Sequence, residues 1–335
     1  MHVSRDDGQS WQDVTGNLPD WPVDGVVRGI DASKWDPGKA YIAVEAHQVG
    51  DFRPHVYRTD DYGESWTKIT NGIEDHVLSF ARSIQEDPVR PGLIFLGTEN
   101  RVYVSFDDGD NWQPFINDLP PAPMYGIVIQ EHFNDLVIGT YGRGFWIMDD
   151  LTPLHQLDDA VLGSDVHLFD TRQAYRFQSI SSPMSQPDDN AAGQNPPYGA
   201  SINYYLKSES EEGVKLAILD GQGNTIRKLD GTKKVGINRI WWDLRHDGIE
   251  SPRLYTSPEG SPDIKPGPEG RPLVTWAFGG RGPMAPPGNY TVKLTVGETE
   301  QQKPLEVLKD PNTEGTEADI RAQHQMMMEL QDNLK

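Results

Sequence analysis

The sequence predicts an all-β chain: a series of repeated antiparallel sheets, then a β-sandwich, then one short C-terminal helix. Three observations carry this reading. First, a frame with Ser or Thr, Asp two residues on, Gly four on and Trp seven on occurs three times. Its copies are Ser4/Asp6/Gly8/Trp11, Thr59/Asp61/Gly63/Trp66 and Ser105/Asp107/Gly109/Trp112, with tryptophans 55 and 46 residues apart. A repeat of roughly 40–50 residues points to β-propeller blades. Second, short β-branched and aromatic runs separated by turn residues fill the intervals. Third, beyond residue 200 the pattern changes to alternating strands with hairpin loops, and the last twenty residues carry a helical stripe. The expected architecture is a partial β-propeller of about three blades plus one hairpin, followed by a sandwich and a short helix.

Each residue type in the repeated frame has a physical reason. Gly supplies the positive φ of a tight hairpin turn. The Asp carboxylate accepts hydrogen bonds from turn N–H groups, the Ser or Thr hydroxyl adds a second local bond, and Trp covers the hairpin with a large apolar face. Asp-rich runs ending in Gly also occur in calcium loops, but those alternate oxygen ligands over twelve residues and close with a Glu. Here a Trp follows within strand-like sequence, so the frame reads as architecture, with neither metal nor cofactor expected.

Taken in order, residues 1–18 form the closing hairpin of a blade. Strands are expected at 26–33, 40–46 and 55–59, then 66–69 after the second frame. The order repeats at 80–85, 93–98, 102–105 and 112–116, and again at 125–130, 136–140 and 144–148, where Asp149-Asp150-Leu151-Thr152-Pro153 stands in place of a frame. Closed propellers need about four to eight blades. Further blades of the same protein are therefore expected upstream of Met1.

The frame resembles the Asp-box of bacterial neuraminidase-type repeats, sortilin-type propellers and xyloglucanase-type hydrolases, with Asn111 departing from the usual Ser or Thr. The run Gly139-Thr140-Tyr141-Gly142-Arg143-Gly144-Phe145-Trp146 resembles the final blade of large bacterial sortilin-like or BNR-repeat proteins grouped with glycosyl hydrolases, as does Asp51-Phe52-Arg53-Pro54. The resemblance implies an exported protein, in an extracytoplasmic setting, that binds protein or glycan ligands. It also implies that the frames lie at the end of the blades opposite the ligand.

The domain plan places the propeller part at 1–155, a connector at 156–198, the sandwich at 199–310 and the helix at 314–335. Within the connector, 166–169 and 174–177 read as strands and 181–197 as a linker rich in Ser, Pro, Asn and Gln. Sandwich strands are expected at 202–206, 214–219, 225–229, 236–244, 291–296 and 302–308, with a long Pro/Gly-rich loop at 251–272. This part resembles the small immunoglobulin-like sandwiches appended to bacterial extracellular enzymes. Thr316 and Asp319 form a capping pair for the helix, in which Ile320, Met327, Leu330 and Leu334 fall on one stripe packing on the sandwich.

Composition excludes several classes. The chain of 335 residues has no Cys, which removes disulfides, Cys-ligated zinc and thiol nucleophiles. With a net charge of −21 it is a poor partner for nucleic acid, which attracts a positive face. No apolar run is long enough to span a membrane. There is no G-x-S-x-G elbow, H-E-x-x-H helix or phosphate loop.

Candidate ligand residues come from loops expected between the second and third strands, 46–55, 99–101 and 141–143. They are His47, Asp51, Arg53, His55, Glu99, Arg101, Tyr141 and Arg143. Asp51 and Glu99 lie in equivalent loops and are the only candidates for the carboxyl pair a glycosidase needs; Arg53, Arg101 and Arg143 recur at similar positions and can bind a carboxylate. The simpler alternative is that these charges pair with each other. Trp241, Trp242 and Trp276 are considered as a sugar platform, although strand neighbours face opposite ways. The favoured function is a non-catalytic binding or scaffold role. The alternative is a glycoside hydrolase, sialidase- or xyloglucanase-like, whose active site is shared with missing N-terminal blades; the sialidase Arg-Ile-Pro motif does not occur here.

Overall fold

The computed structural model describes residues 1–116, 118–177, 193–248, 253–272 and 281–333. The chain divides into two compact units, Met1–Leu151 and Thr152–Lys335.

The first unit is a partial β-propeller. It opens with a hairpin of β1 (His2–Val3) and β2 (Gln12–Asp13). Next come two four-stranded antiparallel sheets. They comprise β3 (Val26–Ala32), β4 (Ala40–Ala46), β5 (Asp51–Thr59) and β6 (Thr67–Lys68), then β7 (Ala81–Glu86), β8 (Ile94–Thr98), β9 (Val102–Ser105) and β10 (Gln113–Phe115). A three-stranded sheet of β11 (Met124–Gln130), β12 (Asp135–Thr140) and β13 (Phe145–Met148) ends the unit.

Burial follows from the stacking of these sheets. Strand neighbours point to opposite faces, so Ile42 and Val44 join a core with Leu18, Tyr57 and Trp66, while Tyr41 and Ala43 join a second core with Ile84, Leu96, Ile69 and Trp112. A strand covered on both faces needs apolar residues at nearly every position, as β4, β8 and β9 show. The third sheet is covered on one face only. Ile127, Ile129, Leu136 and Ile138 are buried, whereas Val128, Phe145 and Ile147 are exposed.

The expected strand β5 is longer than its sequence suggests. A 3-10 turn at His47–Val49 and a left-handed Gly50 return the chain early, so the strand begins at Asp51. Asp51, Arg53 and His55 therefore stand on a strand and not in a loop.

The second unit is a two-sheet sandwich. Two short helices, α1 (Thr152–Gln156) and α2 (Asp159–Gly163), precede β14 (Val166–Leu168) and β15 (Ala174–Arg176). These two strands lie in the segment expected to connect the domains, yet they belong to the sandwich. The remaining strands are β16 (Ala200–Leu206), β17 (Val214–Leu219), β18 (Thr225–Asp230), β19 (Gly236–Trp242), the short pair β20 (Arg253–Leu254) and β21 (Arg271–Pro272), β22 (Gly288–Val296) and β23 (Thr299–Lys309). One sheet has the order β14-β16-β19 and the other β15-β23-β22-β17-β18. Strand β15 pairs parallel to β23, so Ala174 enters the core beside Val307. The pair β20–β21 replaces part of the loop expected at 251–272. The linker expected at 181–197 falls mostly outside the described residues, as do Trp276 and Leu334.

Helix α3 (Glu317–Asn333) is capped as expected, with Thr316 Oγ1 accepting from Asp319 N–H and Asp319 Oδ2 accepting from Thr316 N–H at 2.9 Å. Its stripe does not pack as expected: no residue of the helix is buried, and Met327 and Leu330 are exposed. Polar contacts seat it instead, from Arg321 to Pro287 O, from His324 to His246 and from Gln331 to Asp247 O. Among the described residues no helix is long and apolar enough to cross a membrane.

Candidate functional site

The three larger sheets of the first unit share one irregularity. The pairing of their first two strands skips a residue between Val27 and Gly29, Ala81 and Ser83, and Met124 and Gly126. The skipped residues are Arg28, Arg82 and Tyr125. A β-bulge of this kind re-aims a side chain out of the regular pleat. After Arg28 the next residue is small because the first strand of the following sheet comes close: a Cβ on Gly29 would lie 3.1 Å from Ile84 N. Ser83 uses the same proximity to donate Oγ–H to Met124 O at 2.8 Å.

The re-aimed side chains meet. Arg82, 6% exposed, donates from Nη1 to Glu45 Oε2 and from Nε to Glu99 Oε2 at 2.7 Å. Its guanidinium lies between two rings, 4.7 Å from the centres of both Phe80 and Tyr125, in a double cation–π arrangement. Arg28 Nε donates to Glu45 Oε1, which also accepts from Gln48 Nε2 at 3.1 Å. His47 stacks on Phe80 with ring centres 4.6 Å apart and holds Nδ1 3.3 Å from Glu45 Oε2. Tyr141, 72% exposed, leans on Tyr125 with centres 5.6 Å apart.

Electrostatics fix the charge states. Burial opposes the charge on Glu45, but the Gln48 amide and the Arg28 and Arg82 guanidiniums outweigh it and hold the carboxyl below its usual range. The guanidinium of Arg53 does the same for Asp51, aided by the Arg53 N–H and His55. Burial lowers His55, against the pull of Asp51. Glu45 and Asp51 are thus each held as a carboxylate beside arginine, the reverse of a general acid with a raised pKa.

The sequence-predicted residues divide into groups. His47, Glu99 and Tyr141 join the Arg82 cluster. Asp51 forms a separate group, accepting from Arg53 Nε at 2.9 Å and Nη2 at 2.7 Å, with His55 Nε2 3.1 Å away. This group borders a shallow cleft of about 650 Å³ shared with Phe52 and His76. Asp51 and Glu99 are therefore engaged by different arginines. Arg101 pairs with Glu74 at 3.3 Å, and Arg143 is exposed. Trp242 is fully buried and donates Nε1–H to Arg245 O at 2.8 Å, so it presents no sugar platform.

The three repeated frames are built alike, at the opposite end of the strands. Asp6 Oδ1 accepts from Ser10 N at 2.8 Å, Asp61 Oδ1 from Ser65 N at 2.8 Å and Asp107 Oδ1 from Asn111 N at 2.8 Å. The first-position hydroxyls of Ser4, Thr59 and Ser105 accept from the N–H groups of Gly8, Gly63 and Gly109. Asn111 keeps the pattern, its Nδ2 replacing a serine hydroxyl on Asp107 Oδ2 at 2.7 Å. The turn residues before each Gly, Asp7, Tyr62 and Asp108, are left-handed as well. Gly109 has a second constraint, since a Cβ there would lie 2.5 Å from Ile69 Cδ1 of the preceding sheet.

The first unit is a β-propeller segment. Among solved structures, the chain resembles one described as YCF48 bound to D1 peptide, at 13% identity and a TM-score of 0.29 over 89% of this chain and 72% of that one. It also resembles an ancestral GH74 enzyme, at 12% identity and a TM-score of 0.34, over 91% of this chain and 38% of that one. The third is the GH74 xyloglucanase from Xanthomonas campestris, at 13% identity and a TM-score of 0.30, over 84% of this chain and 44% of that one. The chain spans less than half the length of either GH74 structure. Likeness at this level assigns nothing to individual residues. No protein-family model and no curated protein matches the sequence.

Arg28, Arg82, Tyr125 and Glu45 escape sequence reasoning that looks only in loops. A signal does exist: Val27-Arg28-Gly29-Ile30, Ala81-Arg82-Ser83-Ile84 and Met124-Tyr125-Gly126-Ile127 repeat an apolar residue, a long side chain, a small residue and Ile. That pattern marks the bulge. Glu45 has no comparable signature, since it is the one charged residue, next to last, in an otherwise apolar strand.

Proposed function

We propose that the first unit is a non-catalytic binding region that presents ring faces to a protein or glycan ligand. The observation that carries this is the double occupancy of Arg82. Its two carboxylate partners and two flanking rings leave a rigid, neutralised base beneath the exposed rings of Tyr125 and Tyr141. Such a base positions aromatic faces for stacking against sugar rings or peptide side chains. The three repeated frames act as structural Asp-boxes, in keeping with a sortilin-like or BNR-repeat protein. The two-sheet core of the second unit fits an appended immunoglobulin-like domain. The extracytoplasmic setting rests on the family resemblance alone.

In place of the 1–155 propeller part and 156–198 connector, this reading ends the propeller part near residue 151 and takes β14 and β15 into the sandwich. One observation favours the hydrolase reading: Glu45 and Glu99 share a single guanidinium and so stand close together, as paired glycosidase carboxyls do. Glycan and peptide arrays probed with the full chain decide between the two. Binding without turnover, weakened at least tenfold by Tyr141→Ala, is expected. Polysaccharide cleavage abolished by Glu99→Gln would replace this reading with the hydrolase.

A further inference from the structure

A second cluster of arginines lies within the sandwich unit, and its setting differs from that of Arg82. Acidic residues outnumber Lys and Arg by 51 to 30 in this chain. Arg28, Arg53, Arg58, Arg82, Arg101, Arg227 and Arg321 each have a carboxylate partner. Arg176 and Arg245 have none among the described residues. Each makes a single side-chain bond to a backbone carbonyl: Arg176 Nε to Ala285 O at 3.1 Å, and Arg245 Nη1 to Gly282 O at 3.1 Å. A guanidinium carries five N–H donors, so most of their capacity remains unused.

Both arginines line one cleft of about 540 Å³ between the sandwich and α3. Met284, Ile320 and Met327 supply apolar wall, and His324 borders it, bonded through Nε2 to His246 Nε2 at 2.9 Å. Asp310 also touches the cleft, but its Oδ1 accepts from Asn312 N–H at 2.8 Å and it pairs with neither arginine. Burial lowers the Arg176 pKa, and the charge of Arg245 lowers it further. The same repulsion from Arg176 acts on His324, adding to burial. Uncompensated positive charge in a half-buried cleft is costly unless an anion enters it.

We propose that this cleft binds a small organic carboxylate, its anionic group on Arg176 and Arg245 and its apolar part against Met284, Ile320 and Met327. Two guanidiniums match the oxygen geometry of a carboxylate. The volume lies within the range of about 300–1,000 Å³ that small ligands occupy. Methionines adapt to varied apolar shapes, and these walls favour an organic anion over inorganic phosphate.

Calorimetric titration of the full chain with 4-phenylbutyrate tests the proposal, with 4-phenylbutanol and inorganic phosphate as comparison arms. Saturable binding of the carboxylate is expected, with affinity at least tenfold lower for each comparison compound. Arg245→Met should reduce carboxylate binding at least tenfold. Met327→Glu is a second variant on an exposed helix position, where a substitution leaves the fold intact. It places a competing carboxylate beside the arginines and should reduce binding comparably. Absence of binding at millimolar concentration, equal affinity for the alcohol or for phosphate, or unchanged binding in Met327→Glu would each overturn the proposal.

Discussion

Arg82 and Arg245 carry the same side chain in opposite circumstances. Arg82 is clamped by two carboxylates and two aromatic rings, whereas the Arg245 guanidinium donates to one carbonyl and, among the described residues, pairs with no carboxylate. The first arrangement is closed: every strong interaction that a guanidinium seeks is already made within the unit. The second is open. The contrast teaches that arginine count says little about binding, and that the partners already present decide whether a charged group supports the fold or awaits a ligand.

The contrast between buried and exposed groups is widest among the tryptophans. Trp112 is 4% exposed and donates to Ile69 O at 2.9 Å, while Trp11, in the same frame, is 63% exposed. Trp112→Ala should cost about 3–5 kcal/mol in urea unfolding, and Trp11→Ala less than about 0.5 kcal/mol. Equal losses would break the comparison. The arginines come next. Arg82→Met leaves Glu45, which is 0% exposed, with the half-exposed Arg28 as its one arginine, and should cost roughly 3 kcal/mol. Arg245→Met should leave stability within about 0.5 kcal/mol, because among the described residues no acid loses an ion-pair partner.

Glu99→Gln is expected to cost less than Arg82→Met, about 1 kcal/mol, because the side chain is partly exposed and the amide retains one acceptor oxygen. A loss as large as that of Arg82→Met would mean that Glu99, and not Glu45, is the main anchor of the guanidinium.

The smallest effect is one of pH. Burial lowers the folded-state pKa of His246 and of His324, and the neighbouring positive groups lower both further. A depressed histidine contributes stability that is present above its unfolded pKa, about 6.5, and lost as pH falls through the folded value. The urea midpoint of the second unit should therefore drop between pH 7.5 and 5.5, and His324→Gln should flatten that drop. The depressed carboxyls Glu45 and Asp51 have the same sign but act only below about pH 4.5. His55 adds a drop of the same sign to the first unit and His167 one to the second, so the variant is the more specific measurement.

Legibility varied along the chain for physical reasons. The strands from residue 26 to residue 148 were readable because each sheet repeats the same alternation of apolar runs and turn residues. The bounds of β5 were not, because the early return at Gly50 depends on a left-handed glycine within a run that looks like a loop. Strands β14 and β15 were visible as apolar segments, but their membership of the sandwich depends on partners more than 30 residues away, Tyr204 and Val307 among them. In the candidate site, His47, Glu99 and Tyr141 were found through their places in the repeat. Arg28, Arg82 and Tyr125 were missed because a bulge in a strand looks, in sequence, like any other strand position.

The turns of the hairpins are legible in the sequence, because the bonds among the hydroxyl, Asp, Gly and Ser or Asn of each frame close within seven residues. Thr59, Asp61 and Ser65 bond one another at 2.8–2.9 Å whatever lies next to them. Which frames bury their tryptophan, and which acid each arginine meets, depends on how the sheets stack. Those contacts form between sheets: Glu45 reaches Arg82 across 37 residues, and Trp112 reaches Ile69 across 43. Their energies come from desolvation and pairing, which exist only once the sheets are stacked.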